Sequence, residues 1–199
     1  ESARNEFIEE AQISSQLQHP GIVPVYQCSA TEEGRLYFTM QKVQGRTLLE
    51  VISSVHLASQ SGRWQSTEDG WNLRRLLGAF RSVCETVAYA HSRGVLHRDL
   101  KPTNIMIGTY GEVHVLDWGI AKLVPKSSDN PAEAVSTTRS IEGYTEPSGR
   151  IIGTVAYMSP EQAWGRDVDA RSDVFSLGVI LYRMLTGSTP ARGNLSEVI

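Results

Sequence analysis

The chain has 199 residues, 40% of them hydrophobic, and a formal net charge of −3, which suits one globular domain with a sizeable core and argues against a disordered segment. With no basic excess and no Lys/Arg-rich run, nothing drives nucleic-acid binding. The longest apolar stretch, residues 174–185, is broken by Ser176 and Arg183 and is too short for a bilayer, so no membrane contact is expected from this segment.

In chain order, residues 5–18 carry Phe7, Ile8, Ala11 and Leu17 among Glu and Gln, which predicts a helix stopped by His19-Pro20-Gly21. Two strand-like runs, 22–28 and 36–43, flank a turn at 31–34 and predict an antiparallel hairpin. Residues 47–57 read as a helix, 59–70 as a polar loop with an isolated Trp64, and 73–92 as a longer helix closed by Gly94. Short strands at 104–107 and 113–116 flank the turn at 108–111, and the Ser, Thr, Glu and Pro of residues 125–150 predict a mobile loop. From Asp173 a helix is apolar almost all round and predicted to be buried. Cys28 and Cys84 lack zinc or disulfide spacing and are expected to be buried thiols in a reducing cytoplasm. The chain opens on Glu1, not Met, so the natural N-terminus is expected upstream.

The run His97-Arg98-Asp99-Leu100-Lys101-Pro102-Thr103-Asn104 resembles the catalytic loop of protein kinases. Phosphoryl transfer needs a carboxylate to take the hydroxyl proton and an oxygen ligand for Mg2+; the resemblance gives these roles to Asp99 and Asn104. Asp117-Trp118-Gly119 follows where the family places its second metal ligand, with Trp118 in the position usually held by Phe. Its bulk bears on how readily this segment flips. Residues 153–161, Gly-Thr-Val-Ala-Tyr-Met-Ser-Pro-Glu, resemble the end of an activation segment, and Asp173 the buried aspartate that anchors the catalytic-loop backbone. Glu10 matches the helix glutamate that pairs with the ATP-binding lysine.

On this resemblance the fold is α+β and protein-kinase-like. Residues 1–43 are then the remainder of a small β-rich lobe from its regulatory helix onward, and 44–199 part of a mainly helical large lobe. Met40 matches the back of the adenine pocket, Gln41 and Val43 its hinge, and Met106 the residue below adenine; on periodicity alone Met40 and Met106 are equally ordinary core. His91 and His114 read as structural. Lys101 and Thr154 imply a Ser/Thr kinase, with ATP and Mg2+ as cofactors and Ser/Thr-bearing proteins as substrates. Arg98 and Lys122 would form a basic pocket for a phosphate on the intervening loop, with Thr137, Thr138 and Ser140 as candidates; alternatively Arg98 caps a backbone carbonyl.

Two rivals share the fold: a pseudokinase scaffold, which commonly lacks one of the three functional residues kept here, and a small-molecule phosphotransferase, which would not be expected to carry 153–161. The phrasing of 19–26 and of Leu116 to Gly119 resembles bacterial Hanks-type kinases, whose members often continue into a membrane helix and sensor domain. A cytoplasmic location follows for this segment. Residues 1–199 alone are expected to show little activity, since they contain neither a lysine partner for Glu10 nor a glycine-rich loop, and Glu161 has no arginine partner.

Overall fold

The structure, a computed structural model, describes residues 2–59, 63–118, 122–123 and 155–190. Helix α1 (Ser2–Gln16) leads through the turn at His19 into the hairpin of β1 (Val25–Ala30) and β2 (Leu36–Met40). The pairing is antiparallel, from Ala30 opposite Leu36 to Val25 opposite Met40, with one irregularity between Val25 and Gln27. The turn at 19–21 sits hard against the helical part of the molecule. A Cβ on Gly21 would lie 2.0 Å from Thr86 Oγ1, so glycine is the residue that lets the backbone approach this closely.

Helix α2 (Leu48–Ala58) starts on a reciprocal cap, with Thr47 Oγ1 accepting the Glu50 N–H and the Glu50 carboxylate accepting the Thr47 N–H. Helix α3 (Leu73–Ser92) is capped by Asn72, whose side chain accepts from the Arg75 N–H at 3.0 Å. Its buried positions Leu76, Ala79, Val83, Val87 and Ala90 recur every three or four residues, which aligns them on one face. That face meets α2 and helix α5 (Ala170–Thr186) around Leu48, Val51, Val55, Ile180 and Met184, all fully buried. Burial of such side chains stabilises the fold by about 1.5–3 kcal/mol each. Helix α5 ends on Gly187 at φ +79°, the left-handed cap that glycine adopts without steric cost.

Three short strands, β3 (Gly45–Thr47), β5 (Ile105–Gly108) and β6 (Val113–Val115), form an antiparallel sheet beside this core. A second pair joins β4 (Val95–Leu96) to β7 (Lys122–Leu123). Gly21 and Ile22 reach across to β6, where the Val115 N–H donates to Gly21 O at 2.8 Å. The core is continuous from Ile13 and Leu17 of the N-terminal part to Met184 of α5.

Two expectations are corrected. Cys28 is exposed and Cys84 half-buried, because Cys28 sits on a two-stranded sheet that is mostly open to solvent. Helix α5 is not buried all round: Val174, Phe175, Tyr182 and Leu185 are exposed, since none of the described elements covers that face. No described helix is long and apolar enough to cross a membrane. Residues 125–150, predicted as a loop, lie outside the described residues.

Candidate active site

Strand β4 delivers the chain from the end of α3 into the 97–104 loop, whose backbone is held from below by α5. Asp173, 1% exposed, accepts the N–H groups of His97 at 2.9 Å and Arg98 at 2.8 Å, and its Oδ2 lies 2.6 Å from His91 Nε2. His91 is therefore structural, as expected. Burial pushes the Asp173 carboxyl up, but the His91 contact, the nearby His97 and the two backbone donors outweigh it and leave its pKa below the ordinary range.

The His97 ring is fully buried. Its Nδ1 accepts the Asp99 N–H at 3.3 Å, so Nε2 carries the proton and donates to Leu116 O at 3.0 Å. This bond ties the 97–104 loop to the strand that leads to Asp117. Burial holds the His97 pKa below its ordinary value despite the opposing fields of Asp173, Asp99 and Asp117. The unfolded chain binds a proton here near pH 6.5 and the folded chain resists it, so this histidine costs stability as the pH falls below that value. Thermal melts between pH 7 and 5 should show a falling midpoint, and His97→Phe should flatten the slope; an equal slope in the variant would exclude His97 as its source.

Asp99, Lys101, Asn104 and Asp117 converge. Lys101 Nζ lies 2.5 Å from Asp99 Oδ2, and Asn104 Nδ2 lies 3.0 Å from Asp99 O, 3.1 Å from Asp99 Oδ2 and 3.5 Å from Asp117 Oδ2. A 3-10 turn, Pro102–Asn104, sets Asn104 in place, with its N–H on Lys101 O at 2.9 Å and its carbonyl accepting from the Leu116 N–H at 2.8 Å. Among the described residues, two other than glycine have positive φ, Arg98 at 69° and Asp117 at 64°. Each flanks the cluster, and backbone held in this sparsely populated region tends to mark sites whose geometry is over-determined by the surroundings.

Glu10, on α1, is raised above its ordinary pKa by burial and then by the charge of Asp117, which places it within electrostatic reach of the cluster. Trp118 turns into the core, 3% exposed, with its ring centroid 4.7 Å from that of His97 and its indole N–H donating to Val115 O at 3.2 Å. Met40 and Gln41 are exposed, while Val43 and Met106 are half-buried. None of these four is hydrogen bonded to the Asp99 cluster; the Gln41 N–H donates to Pro24 O, and Gln41 lines a separate cleft of about 500 Å³ with His19 and His114. The backbone of Lys122 pairs with Leu96, two residues before Arg98. Thr137, Thr138, Ser140 and Thr154 lie outside the described residues.

Beyond the predicted residues stands Gln162. Helix α4 (Pro160–Ala163) opens on a reciprocal cap between Ser159 and Gln162, and Gln162 Nε2 also donates to Arg98 O at 2.7 Å. The Ser-x-x-Gln spacing was a readable signal for the cap, though not for the contact with Arg98. Glu161 accepts a short hydrogen bond from Ser172 Oγ.

The protein kinase domain model matches residues 1–198. The chain belongs to the protein kinase domain family. It is 43% identical to the serine/threonine-protein kinase PknD of Protochlamydia amoebophila, covering 98% of this chain and 20% of that protein. Against the PknD of Chlamydia trachomatis serovar D the identity is 39%, over 95% of this chain and 21% of the relative; against that of Chlamydia pneumoniae it is 38%, over 95% and 20%. The chain thus spans about a fifth of the length of these relatives.

Proposed function

We propose that this domain transfers the terminal phosphoryl group of ATP to Ser and Thr hydroxyls of protein substrates. The observation that carries the reading is the convergence of Asp99, Asn104 and Asp117 on a loop whose backbone is bonded to buried Asp173. Asp99 accepts the proton of the attacking hydroxyl as its oxygen bonds to phosphorus and the bond to the leaving nucleotide breaks. Lys101, in contact with the same carboxylate oxygen, carries the charge that balances Asp99. By the family resemblance Thr154 would contribute to the acceptor site.

ATP and magnesium use is typical of the protein kinase family. The donor set here suits magnesium, which takes one or two carboxylates and completes its shell with phosphate and water; the described residues contain no cluster of three or more His, Cys, Asp or Glu able to hold a metal alone. Asp117 and Asn104 would supply the protein oxygens, and the bound ion would neutralise phosphate charge. Glu10 would pair with a lysine, with Met40, Gln41, Val43 and Met106 against the base. Residues 1–43 would belong to the small lobe and 44–199 to the large one. Arg98 and Lys122 would meet a phosphate on Thr137, Thr138 or Ser140.

Asp117→Ala and Asn104→Ala should each weaken magnesium-dependent nucleotide binding by about tenfold or more, equivalent to about 1.4 kcal/mol. Nucleotide titrations at several magnesium concentrations check this, and parental affinities throughout would remove both residues from the metal site. Phosphate transfer to a protein acceptor, set against an aminoglycoside and choline panel, separates a protein kinase from a small-molecule phosphotransferase. Nucleotide binding with no transfer to either points to a pseudokinase.

A further inference from the structure

The peptide group joining Arg98 to Asp99 has its oxygen on Gln162 Nε2 at 2.7 Å and its N–H on His97 Nδ1 at 3.3 Å. A peptide unit turns as a rigid plane, so whatever grips its oxygen also fixes the direction in which the Asp99 side chain leaves the backbone. The preceding residue, Arg98, sits at φ +69°, a conformation with a conformational cost for a residue with a long side chain. Its own N–H is already held by Asp173. The bond from Gln162 is the shorter of the two on the Arg98–Asp99 plane.

Gln162 is itself fixed. Its Oε1 accepts the Ser159 N–H at 3.2 Å and its backbone N–H donates to Ser159 Oγ at 3.4 Å. Both ends of the amide are therefore assigned by their partners, oxygen toward an N–H and nitrogen toward a carbonyl. The segment that carries it is bound to α5: Ser176 Oγ donates to Tyr157 O at 2.7 Å, Arg183 Nη1 donates to Tyr157 Oη at 2.7 Å, and Ser172 bonds Glu161. One amide thus connects the segment at 157–163 to the residue proposed as the base.

We infer that Gln162 is a positioning residue for phosphoryl transfer, aligning Asp99 through the Arg98–Asp99 peptide and coupling that alignment to the segment following Thr154. The inference rests on the proposed kinase reading. It predicts that loss of the amide donor lowers turnover without lowering nucleotide affinity, since the bond touches neither Asn104 nor Asp117.

The test uses the full-length protein, with radiolabelled ATP and casein as acceptor. Gln162→Glu keeps the length and the acceptor oxygen but sets a carboxylate oxygen against the Arg98 carbonyl; Gln162→Met removes donor and acceptor alike. Both should lower kcat by about 10- to 100-fold, the range for outer groups that orient reacting ones, with KM for ATP within about twofold of the parent. For Gln162→Glu the deficit relative to the parent should shrink as pH falls, because a protonated carboxyl can donate to the carbonyl again, and Gln162→Met should show no such recovery. Parental kcat in both variants overturns the inference. So does a deficit that follows loss of the thermal transition and does not recover at low pH, which would make Gln162 a structural cap only. A parent that transfers no phosphate would instead sink the kinase reading and this inference with it.

Discussion

Asp99→Asn is expected to lower phosphoryl transfer by about 10²- to 10⁴-fold, the usual worth of a positioned general base, while nucleotide affinity stays within about twofold. The geometry separates the two effects. Asn104 Nδ2 bonds the main-chain oxygen of residue 99 as well as the carboxylate, so its placement survives the substitution. Asp117 does not depend on Asp99 for its position, because its strand is tied to His97 through Leu116 O and to Asn104 through the Leu116 N–H. What disappears is the proton acceptor and its contact with Lys101. Single-turnover assays beside nucleotide titrations measure both quantities, and parental turnover would remove Asp99 from the role of base.

Asp173→Ala should cost about 3 kcal/mol or more, because it strands the N–H groups of His97 and Arg98 in a buried setting, each at about 1–3 kcal/mol. For a domain of this size that is a drop of about 6–12 °C in the thermal midpoint. Asp173→Asn retains one acceptor oxygen and should lose less. The pH dependence has a defined sign: the folded pKa of Asp173 is depressed, so its contribution is fully present above the unfolded value of 3.8 and is lost as the pH falls through the folded value. Melts of parent and variant should therefore converge in strong acid and diverge above it. An unchanged midpoint at neutral pH would refute the anchoring role.

Helical segments were the most legible part of the sequence. The 73–92 expectation coincides with α3, whose apolar spacing and Asn72 cap both mark it. The hairpin was found with its turn, but β1 starts at Val25, later than expected, since Ile22 and Val23 are drawn into the core, with Ile22 bridged to β6. The two-residue strands β4 and β7 went unseen because a pair that short carries no periodicity. Helix α5 begins at Ala170, three residues before the expected start, because Asp169 caps it. Asp99, Asn104 and Asp117 were singled out through the resemblance to the kinase catalytic loop, and the structure brings their side chains together. Gln162 was not, since its contact with Arg98 O spans 64 positions and depends on how α4 lies on α5.

Tryptophan at position 118 does what phenylalanine cannot. Its indole N–H is satisfied by Val115 O while its ring covers His97, so any excursion of Asp117 that carries the ring outward must break a bond and leave a gap beside a buried imidazole. A hydrogen bond of this kind contributes about 1 kcal/mol net, enough to multiply the ratio of inward to outward populations about fivefold before the gap is counted. In the structure the Asp117 carboxylate lies beside Asn104, next to a tryptophan fixed at both its indole N–H and its ring face.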